Sequence, residues 1–184
     1  MTYYKKDNVF KQFFENREYL IAQFKKGDLT KREFIEEHFY FIQRLNLKPF
    51  KYRIDSFEKG LYNYQYYNML AKYNYMKSKD KKIIEKHPTM AQEFRRKANH
   101  FYMQKDKSTL KLLRYLEFEN VEAYYIKVKS KELDGKLFEI VLKDYDNVIL
   151  HSISPWLADE LRNEWVFEDK KKKSLIDKYI NERY

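Results

Sequence analysis

Through the first two thirds of the chain, apolar residues recur every three or four positions; after that they alternate. Residues 8 to 26 place Val9, Phe10, Phe13, Phe14, Leu20, Ile21 and Phe24 at helical spacing, with Lys11, Glu15 and Arg17 between them. Gly27 ends that helix. Asp28 or Thr30 then caps a second one, and Thr30 followed by Glu33 matches a capping box ahead of Phe34, Ile35, Phe39, Phe41, Ile42 and Leu45. A glycine between two such helices predicts an antiparallel pair. Asn46 to Arg53, with Pro49, forms a connector.

Asp55 or Ser56 caps the next helix, which runs to about Lys79. Tyr62, Tyr66, Met69, Tyr73 and Met76 repeat with the spacing of a packing seam, and Tyr64, Tyr67, Ala71 and Tyr75 form a second stripe beside it. So wide an apolar surface predicts a central helix touched on two sides. Lys77 to Lys82 and His87-Pro88 bracket a short connection. Met90, Phe94, Ala98, Phe101 and Tyr102 then mark a helix, and Asp106 or Ser108 starts a further short one carrying Leu110, Leu112, Leu113 and Leu116.

Beyond Glu119-Asn120 the period changes to two. Tyr124, Ile126 and Val128 share one face of a first strand, Asp134-Gly135 supplies a hairpin turn, and Phe138, Ile140 and Leu142 alternate in a second. Asp146-Asn147 turns into Val148 and Leu150. Ser154-Pro155 opens a short helix through Trp156, Leu157 and Leu161, and a last amphipathic helix carries Leu175, Ile176, Tyr179 and Ile180. The expected fold is a single α+β domain over 1–184: a helical bundle through 118, a small antiparallel three-stranded meander over 119–153, and two C-terminal helices over 154–184.

Composition narrows the chemistry. Three Gly and three Pro are few for a β-sandwich, and the absence of Cys excludes disulfides, thiolate zinc sites and a cysteine nucleophile. No apolar run approaches the ~20 residues of a membrane span, and no signal peptide follows Lys5-Lys6, so a soluble cytoplasmic protein without a membrane partner is expected. His38, His87, His100 and His151 fall in no metal-binding or triad spacing. The three glycines are isolated, which excludes phosphate loops. Glu139, Asp144 and Asp146 with Lys143 have too loose a spacing to mark a nuclease. Neither a cofactor, a metal nor a catalytic residue is expected.

Charge is unevenly placed. The net charge is +4 over residues 1–60, +9 over 61–116 and −3 over 117–184. Low-GC coding would enrich lysine and tyrosine everywhere; it does not explain a middle segment depleted in carboxylates. A basic zone rich in tyrosine offers cations for phosphate and flat rings for bases. The leading functional expectation is a non-enzymatic protein contacting RNA or single-stranded DNA through Arg95, Arg96, Lys97, Lys105, Lys107, Lys111 and Arg114, with stacking from Tyr64, Tyr67 or Tyr75. Consecutive helical side chains diverge by about 100°, so at least one of Arg95, Arg96 and Lys97 should lean to the core or pair with a carboxylate. The rival expectation is a protein-interaction or assembly module using the tyrosine-rich helix with Trp156 or Trp165.

Three blocks carry a resemblance: Asp28 to Glu37 (DLTKREFIEE), Ile54 to Ala71 (IDSFEKGLYNYQYYNMLA) and Lys107 to Tyr124 (KSTLKLLRYLEFENVEAY), joined by the closing Lys171 to Glu182 (KKKSLIDKYINE). Together they resemble an uncharacterised family of small cytosolic clostridial proteins, across nearly the whole chain. The resemblance implies one co-folded unit and no activity, substrate or catalytic residue.

Overall fold

The computed structural model describes residues 4–51, 53–119, 124–128, 138–142 and 148–152. Five helices, α1 (Tyr4–Lys26), α2 (Lys31–Arg44), α3 (Phe57–Ser78), α4 (Lys81–Lys86) and α5 (Pro88–Glu119), precede three strands, β1 (Tyr124–Val128), β2 (Phe138–Leu142) and β3 (Val148–Ser152). Two compact units divide the chain, Met1–Lys105 and Asp106–Tyr184.

The expected α+β class is corrected to a mainly helical fold. Helices of 23, 14, 22, 6 and 32 residues stand against three strands of five residues each, and no strand falls in the unit Met1–Lys105 among its described residues. The strands pair antiparallel in the order β1-β2-β3, with Ile126 opposite Ile140 and Ile140 opposite Leu150. The two expected turns at Asp134-Gly135 and Asp146-Asn147, and the C-terminal helices with Trp156 and Trp165, lie outside the described residues.

Local chemistry sets the helix ends. Gly27 takes φ +84°, and its N–H donates to the Phe24 carbonyl (3.1 Å) while that of Asp28 donates to Gln23 (3.0 Å), closing α1 with the left-handed turn that glycine favours. Thr30 and Glu33 form the anticipated box: the Glu33 N–H donates to Thr30 Oγ1 (3.2 Å) and the Thr30 N–H to Glu33 Oε2 (2.8 Å). The hydrogen bonds from Thr30 hold the Glu33 carboxyl below its usual range. Thr30→Ala is expected to cost about 1 kcal/mol in urea unfolding, and a loss below about 0.3 kcal/mol would show the box to be replaceable by water.

The core of the first unit is built on α3. Tyr62, Tyr66 and Met69 are buried with Phe13, Ile35, Ile42, Leu47 and Leu70. Tyr73, the fourth seam residue, is half-buried and stacks flat on Phe39, ring centroids 3.6 Å apart. The second stripe is buried at Tyr64 and Ala71, so α3 is covered on two sides, as its breadth of apolar surface requires. Tyr62 meets Phe10, Phe13 and Phe50 edge-on at 4.8–5.5 Å, and its hydroxyl donates to the Lys48 carbonyl (3.1 Å). The connector is tied to α3 again by Asn63, whose Oδ1 accepts from the Phe50 N–H (2.8 Å) while its Nδ2 donates to the Phe50 carbonyl (3.0 Å).

Two expectations fail between residues 77 and 119. The connection contains a helical turn and a half, α4, started by Asp80, whose Oδ1 accepts from the Lys82 N–H (3.0 Å). The two helices expected over 90–116 are one. Asp106 and Ser108 are buried mid-helix residues and not caps. Ala91, Ala98, Lys105, Thr109 and Leu112 form one buried row at spacings of seven, seven, four and three, and no Gly or Pro interrupts it after Pro88. Cap chemistry at Asp and Ser is a local option that burial of this continuous row overrides.

Candidate nucleic-acid interface

The ten residues expected to bind separate sharply by burial. Tyr64 is 2% exposed and Lys105 2% exposed, so neither reaches a ligand. Lys105 runs inward, its ammonium 5.9 Å from the Tyr64 ring centroid and 5.7 Å from that of Tyr102, where the negative ring faces replace part of its lost hydration. Burial in the same region pushes the Tyr102 phenol up to about 12. Tyr67 is half-buried, edge-on to Tyr66 at 5.2 Å, and burial raises its phenol too. Both Tyr64 and Tyr67 are therefore packing residues, and Tyr75 is the exposed ring of the three at 39%.

On α5, Arg95, Arg96 and Lys97 are exposed, and they divide as their angular spread demands. Lys97 pairs with Glu93 one turn earlier (2.8 Å), which holds the Glu93 carboxyl below its ordinary value. Arg95 lies over the Tyr75 ring, its guanidinium carbon 4.8 Å from the centroid. Lys107, Lys111 and Arg114 are exposed on the part of α5 that belongs to the second unit.

A second cation also reaches Tyr75. The Lys79 ammonium sits 5.9 Å from its centroid, and Lys79 lines a cavity of about 530 Å³ with Arg32, Asp80, Lys81 and Lys82. Arg32, on α2, donates to Asp80 Oδ2 (3.0 Å) and lies 3.4 Å from Glu36, which also accepts from Lys77 (2.8 Å). The hydrogen bond from Arg32 draws the Asp80 carboxyl below its usual range, while the same bond raises the guanidinium. Asp80 thus caps α4 and holds Arg32 across the cavity mouth. With Asp80 answering Arg32, the cavity keeps an excess of positive charge from Lys79, Lys81 and Lys82.

Arg32, Lys79, Lys81 and Lys82 escape sequence reasoning, because Lys77 to Lys82 reads as a bare linker until α4 folds it around Asp80. His100 is exposed and edge-on to Phe101 (5.5 Å), His87 closes α4, and His38 is wholly buried. Glu139 lies on β2 opposite Lys127 and His151, while Lys143, Asp144 and Asp146 fall outside the described residues. Among the described residues no group of His, Asp and Glu is arranged to hold a metal ion, and no helix is long and apolar enough to cross a membrane. The arrangement is chemically suited to holding phosphate beside a flat ring.

Residues 3–184 match the model of a family of unknown function (DUF6648), and the chain belongs to that family. The match says nothing of a clostridial source or a cytosolic location, which the resemblance had carried. No curated protein and no solved structure is similar to the chain.

Proposed function

We propose that this DUF6648 protein is a non-enzymatic, cytoplasmic binder of RNA or single-stranded DNA, acting through the basic face of its Met1–Lys105 unit. The observation that carries the reading is Tyr75, an exposed ring with Arg95 at 4.8 Å and Lys79 at 5.9 Å, the latter lining a cavity shared with Arg32, Lys81 and Lys82. A base stacked on Tyr75 would contribute about 1–3 kcal/mol, sequence-tolerantly, and Arg95 adds a second flat surface. The lysines would neutralise the adjoining phosphates and release counterions. Arg96 extends the same helix with an exposed cation, while Lys97 is partly answered by Glu93.

Fluorescence anisotropy with labelled RNA and DNA oligonucleotides tests this. If four cations engage phosphate, the affinity should fall roughly fifty-fold between 50 and 200 mM salt, and Tyr75→Ala should weaken binding by about 1–3 kcal/mol at either concentration. No binding at 50 mM salt would remove the reading. It would favour the protein-interaction alternative built on the tyrosine-rich helix α3, where Tyr75 at 39% exposure would be the contact ring.

A further inference from the structure

The cavity beside Tyr75 concentrates more positive charge than the phosphate of a strand passing over it can answer. Arg32 from α2 lines its volume of about 530 Å³ together with Lys79, Lys81 and Lys82 from the junction of α3 and α4, and Asp80 is the carboxylate among them. Asp80 is committed to Arg32 at 3.0 Å, and Glu36, the next acid, is shared between Arg32 (3.4 Å) and Lys77 (2.8 Å). Among the described residues no carboxylate forms an ion pair with Lys79, Lys81 or Lys82. All three lysines are exposed, so a solute reaches them directly from water.

That charge selects among phosphates. An internal phosphodiester brings a single negative charge and two free oxygens, whereas a terminal monoester brings close to two charges and three oxygens at pH 7. Three ammonium groups match the second. A strand threading the cavity must also enter and leave it, and the bond from Arg32 to Asp80 joins α2 to the start of α4, with Glu36 and Lys77 behind it. A through-path has to part that network or run beside two carboxylates; a chain end needs a single entrance. Tyr75 fixes where the adjoining base lies. Lys79, at the C-cap of α3 one turn after Tyr75, has its ammonium 5.9 Å from the ring centroid, so a phosphate oxygen bonded to it falls within about 9 Å of the ring. A single nucleotide spans that gap, with its base on the ring and its own phosphate among the lysines.

We propose that this cavity receives the terminal phosphate monoester of a single-stranded nucleic acid whose last base stacks on Tyr75, which makes the protein a binder of phosphorylated ends. The inference rests on the nucleic-acid reading above and narrows its ligand. Lys79 bridges ring and cavity, Lys81 and Lys82 take the remaining phosphate oxygens, and Arg32 keeps its bond to Asp80 while adding its charge. A hydroxyl end leaves the same lysines to water.

The test compares, by fluorescence anisotropy on the full chain in low salt, one internally labelled oligonucleotide carrying a 5′-phosphate, a 3′-phosphate or a hydroxyl at each end. One of the phosphorylated forms should bind about tenfold more tightly than the hydroxyl form, the gain of one or two charge-assisted hydrogen bonds. Equal affinity for all three overturns end binding and leaves the Tyr75 face as a binder of internal segments, whereas no binding by any of them overturns both readings. That comparison needs no variant. Lys81→Gln combined with Lys82→Gln should then bring the ratio below about twofold, the remainder being the attraction of Lys79 and Arg32. Both side chains are exposed, so the packing stays intact. An undiminished ratio in the double variant places the phosphate elsewhere and overturns the cavity as its site.

Discussion

Tyr62→Ala is expected to remove about 3–5 kcal/mol of stability, the largest single loss among the described residues. Tyr62 is 1% exposed at the junction of α1, the connector and α3, edge-on to three phenylalanine rings. Truncation leaves a ring-sized void bounded by stiff aromatic walls that close poorly, so the cavity cost adds to the lost transfer energy. Against a typical total of about 5–15 kcal/mol, the variant sits near the edge of folding. Tyr62→Phe keeps the ring and loses only the bond to the Lys48 carbonyl, about 1 kcal/mol. Urea midpoints measure both, and a loss under about 1.5 kcal/mol for the alanine variant would mean that α1 and α3 collapse freely onto each other.

Acidification in chloride buffer should destabilise the protein well before its carboxylates titrate. Burial, and then the charges of Arg17 and Lys72, lower the His38 imidazole from 6.5 to about 3. Between those values the unfolded chain takes up a proton that the folded protein refuses. The contribution is therefore intact above pH 6.5 and falls steadily as the pH drops toward 3. At about 1.4 kcal/mol per pH unit, the loss from pH 7 to 5 is about 2 kcal/mol. Glu33, Asp55, Asp80 and Glu93 have carboxyls held below their usual range, so their losses come at lower pH. His38→Leu should flatten the pH 5–7 segment. Equal slopes in the two proteins would show that His38 opens to water and charges without penalty.

What the sequence revealed depended on how local the determining physics is. The Thr30–Glu33 box and the Gly27 stop involve residues within four positions, and the spacing of Tyr62, Tyr66 and Met69 states its own face. The fused α5 was hidden because Asp106 and Ser108 carry the same capping groups whether they start a helix or sit inside one. Lys105 reads as surface charge, and only the meeting of Tyr64 from α3 with Tyr102 from α5 gives its ammonium somewhere else to go. The cavity depends on Arg32 reaching Asp80 across 48 residues, a pairing with no sequence signal. The α+β label gave three short strands equal weight with a helical unit that needs none of them to fill its core.

The bridge between Asn63 and Phe50 bears on how the chain survives proteases. The connector offers cleavable bonds after Lys51 and Arg53, the sort of inter-helix segment that digestive enzymes nick first. A protease must draw several residues out as a free extended strand. Here both backbone groups of Phe50 are engaged by one side-chain amide, and its ring stacks on Phe10 at 4.7 Å. Cutting must therefore wait for the connector to peel from α3. The carboxamide of Asn63 meets that demand where its near-isosteres do not: aspartate lacks the donor and leucine lacks both groups, so a loop that looks dispensable depends for its durability on a residue thirteen positions away.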